Sequence, residues 1–369
     1  MLKNIQIRGY KSIKRLDLKL TNFNVLIGAN GAGKSNLISF FKLLRWMIQS
    51  GTGQLQYFIG QSGGGNPFLF DGLQTTSRFQ AELNFETDAG RNDYSIILSH
   101  ADPDTLIFAS ERYRFSRFDR EGTADWIYLD SGHRESRLIN AANNGEDKTA
   151  KTIFSLIQRC VYHQFHNTSE NSRIRQRWDI DDNRYLKEDA ANLAPFLFRL
   201  REYEPQCYSR IVETIRQITP FFADFVFEPV GNKLILQWRE LESDLLFSSH
   251  QASDGTLRSI ALIALLLQPR DQLPDILIFD EPELGLHPYA INIIAGLMQS
   301  ISQQTQIILA TQSASLIDYF QPEDIIVVER KGRESIFHRK SYEELQDWLE
   351  DYSLSELWDK NVIGGRPSK

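Results

Sequence analysis

The stretch Gly28-Ala-Asn-Gly-Ala-Gly-Lys-Ser35 constrains this chain more than any other. It fits G-x-x-x-x-G-K-[ST] without departure, the pattern of a phosphate-binding P-loop. Residues 24–27 before it read as a short buried strand, and residues 35–48 after it carry apolar side chains at helical spacing. Strand, glycine loop and helix together are the context the pattern requires. Glycines let successive backbone N–H groups turn toward one anion, and the helix N-terminus adds partial positive charge. Lys34 can reach the β- and γ-phosphates of a nucleotide, and the Ser35 hydroxyl can ligate Mg²⁺.

The remaining pattern builds an α/β fold around that loop. Residues 2–8 and 16–20 alternate apolar and polar as a strand pair. Residues 51–65, rich in Gly and Gln, read as a mobile loop. Between 78 and 129 the period becomes two, as in an antiparallel meander. From 147 to 220 it becomes helical, with stripes at 149–165, 187–202 and 208–218 and a polar loop at 167–182. Strands return at 225–227 and 234–238. Residues 276–279 are a continuous apolar run of the kind buried in parallel sheets, 306–310 read as another buried strand, and strands at 324–328 and 336–338 follow. A last helix spans 342–350 and a polar tail follows.

Composition limits the function classes. The 369 residues carry a net charge of −7, which argues against an all-over basic nucleic-acid binder but not against a local basic groove. No apolar run approaches a membrane span, so no membrane role is expected. The N-terminus has no apolar signal core, so the cytoplasm is the expected location. Cys160 and Cys207 lack metal-type spacing.

Two further motifs carry chemistry. Ile276-Leu-Ile-Phe-Asp-Glu-Pro-Glu283 is an apolar strand ending in acids, a Walker B arrangement. Asp280 at its tip can hold Mg²⁺, and Glu281 can polarise an attacking water. Ser253-Asp-Gly-Thr-Leu-Arg258 precedes a helix. Ser253 and Asp254 either cap that helix or, with the Gly255 N–H, face a γ-phosphate.

The order GANGAGKS, SDGTLR, DEPELGLHP, ATQS resembles the ABC-type ATPase heads of the RecF, SMC and OLD class, and above all their small bacterial relatives often called AAA family ATPases. The opening IQIRGYKSIK is similar to the first strand and turn of those heads. The resemblance implies an ABC-type P-loop ATPase head over residues 1–369. Residues 1–50 and 225–340 would form the nucleotide-binding core, 75–130 an antiparallel β lobe, 147–222 a helical insert, and 341–369 the C-terminal helix and tail. ATP and Mg²⁺ are the implied cofactors. Asn30, Gly31, Ala32, Gly33, Lys34, Ser35 and Asn36 would bind nucleotide, with Ser35 and Asp280 on the metal. Ser253, Asp254 and Gly255 would act across a head-to-tail dimer, on the partner's nucleotide. Leu284-Gly-Leu-His287 matches the loop that crosses the dimer axis, although His287 can equally be a satisfied buried imidazole.

Gln312 stands where many members have His, so it is the expected γ-phosphate contact, and slower or more tightly gated hydrolysis would follow. A glutamine contacting Mg²⁺ is also implied, with Gln61, Gln74 and Gln80 as candidates. Arg112, Arg114, Arg117 and Arg120, and the row Arg173, Arg175 and Arg177, either touch phosphates or form a solvated, salt-bridged surface. His163 and His166 have ligand-like spacing without an accompanying acid or Cys cluster. OLD nucleases add a C-terminal metal-dependent domain, for which too few residues remain after Glu329. A separately encoded effector, a nuclease or toxin, is therefore expected as partner. Residues 147–220 and the aromatics Trp348, Tyr352 and Trp358 are candidate docking surfaces. DNA and higher assemblies are further expected partners, in anti-phage defence or genome maintenance. An ATP-gated protein scaffold without DNA contact is the alternative.

Overall fold

The computed structural model describes residues 1–49, 51, 53–120 and 122–365. Thr52 in the glycine-rich loop and residues 366–369 of the tail therefore lie outside the described residues.

Three apolar runs form the centre of the molecule. Strands Phe23–Ile27, Gln306–Thr311 and Ile276–Asp280 lie side by side and are buried almost throughout. They belong to a six-stranded sheet in the order Glu334–Arg339, Ile325–Lys331, Phe23–Ile27, Gln306–Thr311, Ile276–Asp280, Cys160–His163. All neighbours are parallel except the outermost hairpin. Alternate residues serve opposite faces, as the pleat demands. Leu26, Ile278 and Ile308 face the helix Lys34–Met47, whereas Val25, Leu277 and Leu309 face a helical layer on the other side. Helices Leu193–Tyr203, Pro205–Ile218, Asp254–Leu266 and Pro288–Ile301 make up that layer. Helix Asp254–Leu266 is buried on every side from Leu257 onward, so it is the central helix of the layer.

The second sheet is antiparallel, in the order Ile13–Lys19, Leu2–Tyr10, Arg78–Thr87, Gly90–Ala101, Thr105–Arg117, Ile127–Tyr128. The N-terminal hairpin is thus one edge of the same sheet as the meander, joined through Leu2–Tyr10 and Arg78–Thr87. Helix Lys34–Met47 is held between the two sheets. Its Leu37, Phe40, Phe41 and Leu44 share one buried cluster with Ile5, Ile7, Phe79 and Leu83 of the antiparallel sheet, and Phe40 meets Tyr10 edge-on with ring centroids 5.6 Å apart. Each such side chain contributes about 1.5–3 kcal/mol by burial. This packing fixes the first helical turn, and with it the phosphate loop.

Three elements differ from the sequence reading. The glycine-rich stretch contains a helix, Gln54–Gln61. The Glu135 carboxylate accepts from the Leu55 and Gln56 N–H groups at 3.0 and 3.1 Å, satisfying the helix start from a distant loop. Phe58 stacks on Trp46 with ring centroids 5.5 Å apart. Next, the helical stripe at 149–165 stops at Gln158, and Cys160–His163 becomes the edge strand of the mixed sheet. Last, the C-terminus forms two helices, Tyr342–Leu349 and Leu354–Asp359. Trp358 is buried in the second, whereas Trp348 is about half exposed and packs on Tyr352. No helix among the described residues is long and apolar enough to cross a membrane.

Candidate functional site

The phosphate loop leaves the carboxyl end of Phe23–Ile27, the edge where open α/β sheets bind ligands. Two glycines are required by contact. A Cβ at Gly28 would lie 2.2 Å from the Val328 carbonyl oxygen, and one at Gly33 would lie 2.0 Å from Ser335 Oγ. Ser335 Oγ donates to the Ala32 carbonyl at 2.5 Å and lies 2.6 Å from Ser12 Oγ. The Asn36 amide donates to Ser12 Oγ at 2.5 Å. The first strand pair and the outer hairpin thus clamp the loop from both sides. Lys34 is 4% exposed and aims inward, donating to the carbonyls of Gly28 at 2.5 Å and Ala29 at 3.2 Å. Burial lowers its ammonium below the ordinary lysine value, against the pull of Glu281, Asp280 and Glu283.

The acids stand on the same sheet edge, two strands away. Burial, followed by the neighbouring Glu281 charge, raises the Asp280 carboxyl above its ordinary value, and a hydrogen bond with Ser35 opposes this. Glu281 adopts a left-handed backbone, φ 46°, and its N–H donates to the Ala310 carbonyl at 2.7 Å. That turn bends the chain off the strand. The Gln312 amide, one residue past Gln306–Thr311, donates to Glu281 Oε1. Glu283 is raised by burial; Thr311 Oγ1 donates to its Oε1 at 2.5 Å, and its Oε2 has no partner. Ser35 and Asp280 offer the hard oxygen donors that suit Mg²⁺. Among the described residues no group of three His, Cys, Asp or Glu could hold a metal. An ion at Ser35 and Asp280 would therefore need phosphate and water oxygens to complete its shell, so these residues fit a metal–nucleotide pair.

Gln164 was missed in the sequence. His163 pairs with Phe279, so Gln164 comes level with Asp280 on the neighbouring strand. Its amide group links Lys42 at 3.3 Å to His166 Nδ1 at 3.2 Å, and His166 Nε2 donates to the Glu281 carbonyl at 3.1 Å. The three glutamines named from sequence lie elsewhere. Gln61 is exposed on its helix and donates to Tyr57 Oη, Gln74 sits in an exposed turn, and Gln80 is in the antiparallel sheet. Beside Ser12 and Asn36 a polar cavity of about 670 Å³ opens between Lys11, Phe68, Asp71 and Arg333. It is roomy enough for a nucleoside.

The Ser253–Gly255 motif stands apart from the phosphate loop. Ser253 is exposed and caps helix Asp254–Leu266, accepting from the Thr256 N–H at 3.1 Å. Asp254 pairs with Arg175 at 2.8 Å, and a Cβ at Gly255 would lie 2.5 Å from the Gly285 carbonyl oxygen. Two buried arginines anchor the motif. Arg258 donates to the carbonyls of Phe165, His166 and Leu284 at 3.2, 2.8 and 2.6 Å. Arg175 donates to the carbonyls of Thr168 at 2.7 Å, Ala252 at 3.1 Å, and Ser249. The segment after Gln164 is thereby tied to the motif. Arg175 is therefore not a solvated side chain, although its neighbour Arg173 pairs at the surface with Asp189. Arg112 and Arg114 both lie over Trp126, and Arg114 also pairs with Asp93. His287 is exposed and caps helix Pro288–Ile301. His163 is buried, which pushes it down to about 3 and keeps it neutral.

The contact between Gln312 and Glu281 sets an expectation. Gln312→Ala should lower ATP turnover about 10²- to 10³-fold, the scale of losing one preorganised hydrogen-bond donor, while ADP affinity stays nearly intact. Gln312→His should restore or raise turnover. Steady-state ATPase rates with ADP titrations check this, and native turnover in the Ala variant would place Gln312 outside the catalytic shell.

The family described as "AAA domain, putative AbiEii toxin, Type IV TA system" matches residues 23–318. Among curated proteins, the chain is 22% identical over 383 residues to the Old nuclease of Escherichia phage P2, covering 94% of this chain and 62% of that protein. It is 23% identical over 363 residues to the OLD nuclease of Thermus scotoductus, covering 90% and 63%. The chain thus spans less than two thirds of the length of these relatives. Among solved structures, it resembles the Smc head bound to the C-winged helix domain of ScpA, with a TM-score of 0.62 at 14% identity over 94% of this chain and 99% of that one. The Smc head with an extended coiled coil, bound to the C-terminal domain of ScpA derived from Pyrococcus furiosus, gives 0.53 at 15% over 95% and 98%. Both likenesses concern the fold, which is that of an ABC-type P-loop ATPase head. With four fifths of its length matched, this chain belongs to the AAA-domain family so described and is an ATPase.

Proposed function

We propose that the chain is an ATP-driven dimerisation switch, a single head whose state is read by a separate effector in a DNA-linked process. One observation carries this reading. Lys34, Ser35, Asp280, Glu281 and Gln312 stand at one sheet edge, while Ser253 and Asp254 face solvent and bond to Thr256 and Arg175 rather than to the phosphate loop. A second copy placed head to tail would bring that motif onto the first copy's phosphates. In this reading residues 30–36 hold the nucleotide, and Lys34 pairs with its outer phosphates. Ser35 and Asp280 hold Mg²⁺, which when bound neutralises phosphate charge. Glu281 takes the proton of the attacking water and Gln312 orients Glu281. Ser253, Asp254 and Gly255 complete the partner's site.

The DNA link is supported by the names of the two curated relatives, both nucleases. With those names in view, a nuclease or toxin acting in trans is the effector proposed, in the cytoplasm and in anti-phage defence or genome maintenance. Tagged protein purified from its native operon with ATP should retain a neighbouring gene product. Recovery of no partner with or without ATP, together with full biological activity of the chain alone, would refute the effector.

A further inference from the structure

A second cavity lies on the far side of the Ser253 motif. It has a volume of about 540 Å³, and its polar lining is Gln176, Arg177, Lys233, Gln237, Ser248 and His250. Among the described residues no Asp or Glu lines it. That is unusual in a chain with 48 acidic residues against 41 Lys and Arg. Arg177, Lys233 and His250 make no ion pair among the described residues, whereas Arg173 and Arg175 beside them both do. Asp179, which stands opposite Lys233 in the register of two short strands, makes no ion pair with it and accepts at Oδ1 from the Asp181 N–H and the Asn232 amide. Arg177 and Lys233 are therefore left without a carboxylate at ion-pair distance among the described residues, and amides, a hydroxyl and an imidazole stand with them as hydrogen-bonding partners.

We propose that this cavity binds a phosphate group, in the first instance one from the backbone of a nucleic acid strand. Arg and Lys without a carboxylate partner, beside polar neutral groups, are what a phosphodiester needs for charge neutralisation and hydrogen bonding without base readout. The proposal rests on the DNA-linked reading above and gives that link a place on the molecule. It also supplies a route to the ATP site. Ser248 and His250 in the cavity wall run directly into Ser253, and Arg177 follows Arg175, whose guanidinium bonds both the Ser249 carbonyl and Asp254. An anion drawn between Arg177 and His250 acts on the segment that positions the motif, so nucleic acid should alter ATP turnover.

The test compares the wild-type chain with Arg177→Ala/Lys233→Ala, two exposed positions that leave the core intact. A labelled single strand of about 20 nucleotides, long enough for one groove, and its duplex are titrated by fluorescence anisotropy over a range of salt. Wild type should bind. The double variant should bind at least about tenfold more weakly, with a log–log salt slope smaller by about 1.4 for the single strand, two contacts' worth. Its ATP turnover without nucleic acid should stay at the wild-type rate, and stimulation or inhibition by the strand should disappear. Equal binding and equal slopes would overturn the cavity assignment while leaving the DNA link standing. If wild type binds neither strand nor duplex, inorganic pyrophosphate is titrated by calorimetry into Lys34→Ala and into the corresponding triple variant. Heat present in the first and lost in the second assigns the cavity to a free phosphate compound and removes the DNA link. Absence of heat in both overturns the cavity.

Discussion

Replacing Glu281 with Gln is expected to slow ATP turnover by about 10²–10⁴-fold, the contribution of a general base, and to leave ATP binding intact. Glu281 follows Asp280 at the tip of the strand Ile276–Asp280, and its left-handed backbone turns it off the strand axis. Gln312 donates to one carboxylate oxygen. The His166 bond reaches the Glu281 backbone carbonyl, so the carboxylate stays available to take a proton. Gln keeps the shape and the hydrogen-bonding reach but cannot accept a proton at neutral pH. The loss should therefore fall on turnover rather than on nucleotide affinity. Single-turnover hydrolysis beside a binding titration separates the two, and hydrolysis at the native rate would mean that Glu281 is not the base.

Lys34→Ala should remove most of the ATP affinity. Its ammonium is almost wholly buried and donates to the loop carbonyls of Gly28 and Ala29, and a bound nucleotide would draw it toward the outer phosphates as their cation. Removing one partner of a buried charge pair costs about 3–5 kcal/mol, which is about two to three and a half decades in affinity at 1.4 kcal/mol per decade. The fold should survive, because burial already disfavours this charge and the first turn of the helix is held by Leu37, Phe40 and Phe41. Calorimetry with ATP and Mg²⁺ measures the loss, and circular dichroism checks the fold. Unchanged affinity would refute the site assignment.

The parts of this fold that are local in sequence are visible there. The loop between Phe23–Ile27 and Lys34–Met47 is contiguous, and Ile276–Asp280 is apolar at four positions before its acid. The parts assembled from distant segments are not. Cys160–His163 continues a helical stripe and becomes a strand only through pairing with Ile276–Asp280, so Gln164 beside it stayed hidden. Helix Gln54–Gln61 depends on the Glu135 carboxylate, which the glycine-rich composition around it could not announce. The cavity beside Asn36 joins Lys11, Phe68 and Arg333 from three parts of the chain. Arg175 shares a short basic row with Arg173 and Arg177, yet only tertiary contact buries it against Asp254 and the Ser249 carbonyl. Periodicity reports which face of an element is apolar. It says nothing about which buried cation a loop carbonyl will claim.

The switch requires that ATP bring two copies together and that hydrolysis part them. Glu281→Gln, which should bind ATP without consuming it, holds that state for measurement. Light scattering on this variant with ATP and Mg²⁺ should report about twice the 42.6 kDa of one chain, falling to a single chain's mass with ADP. A mass of one chain while ATP is demonstrably bound would contradict the account.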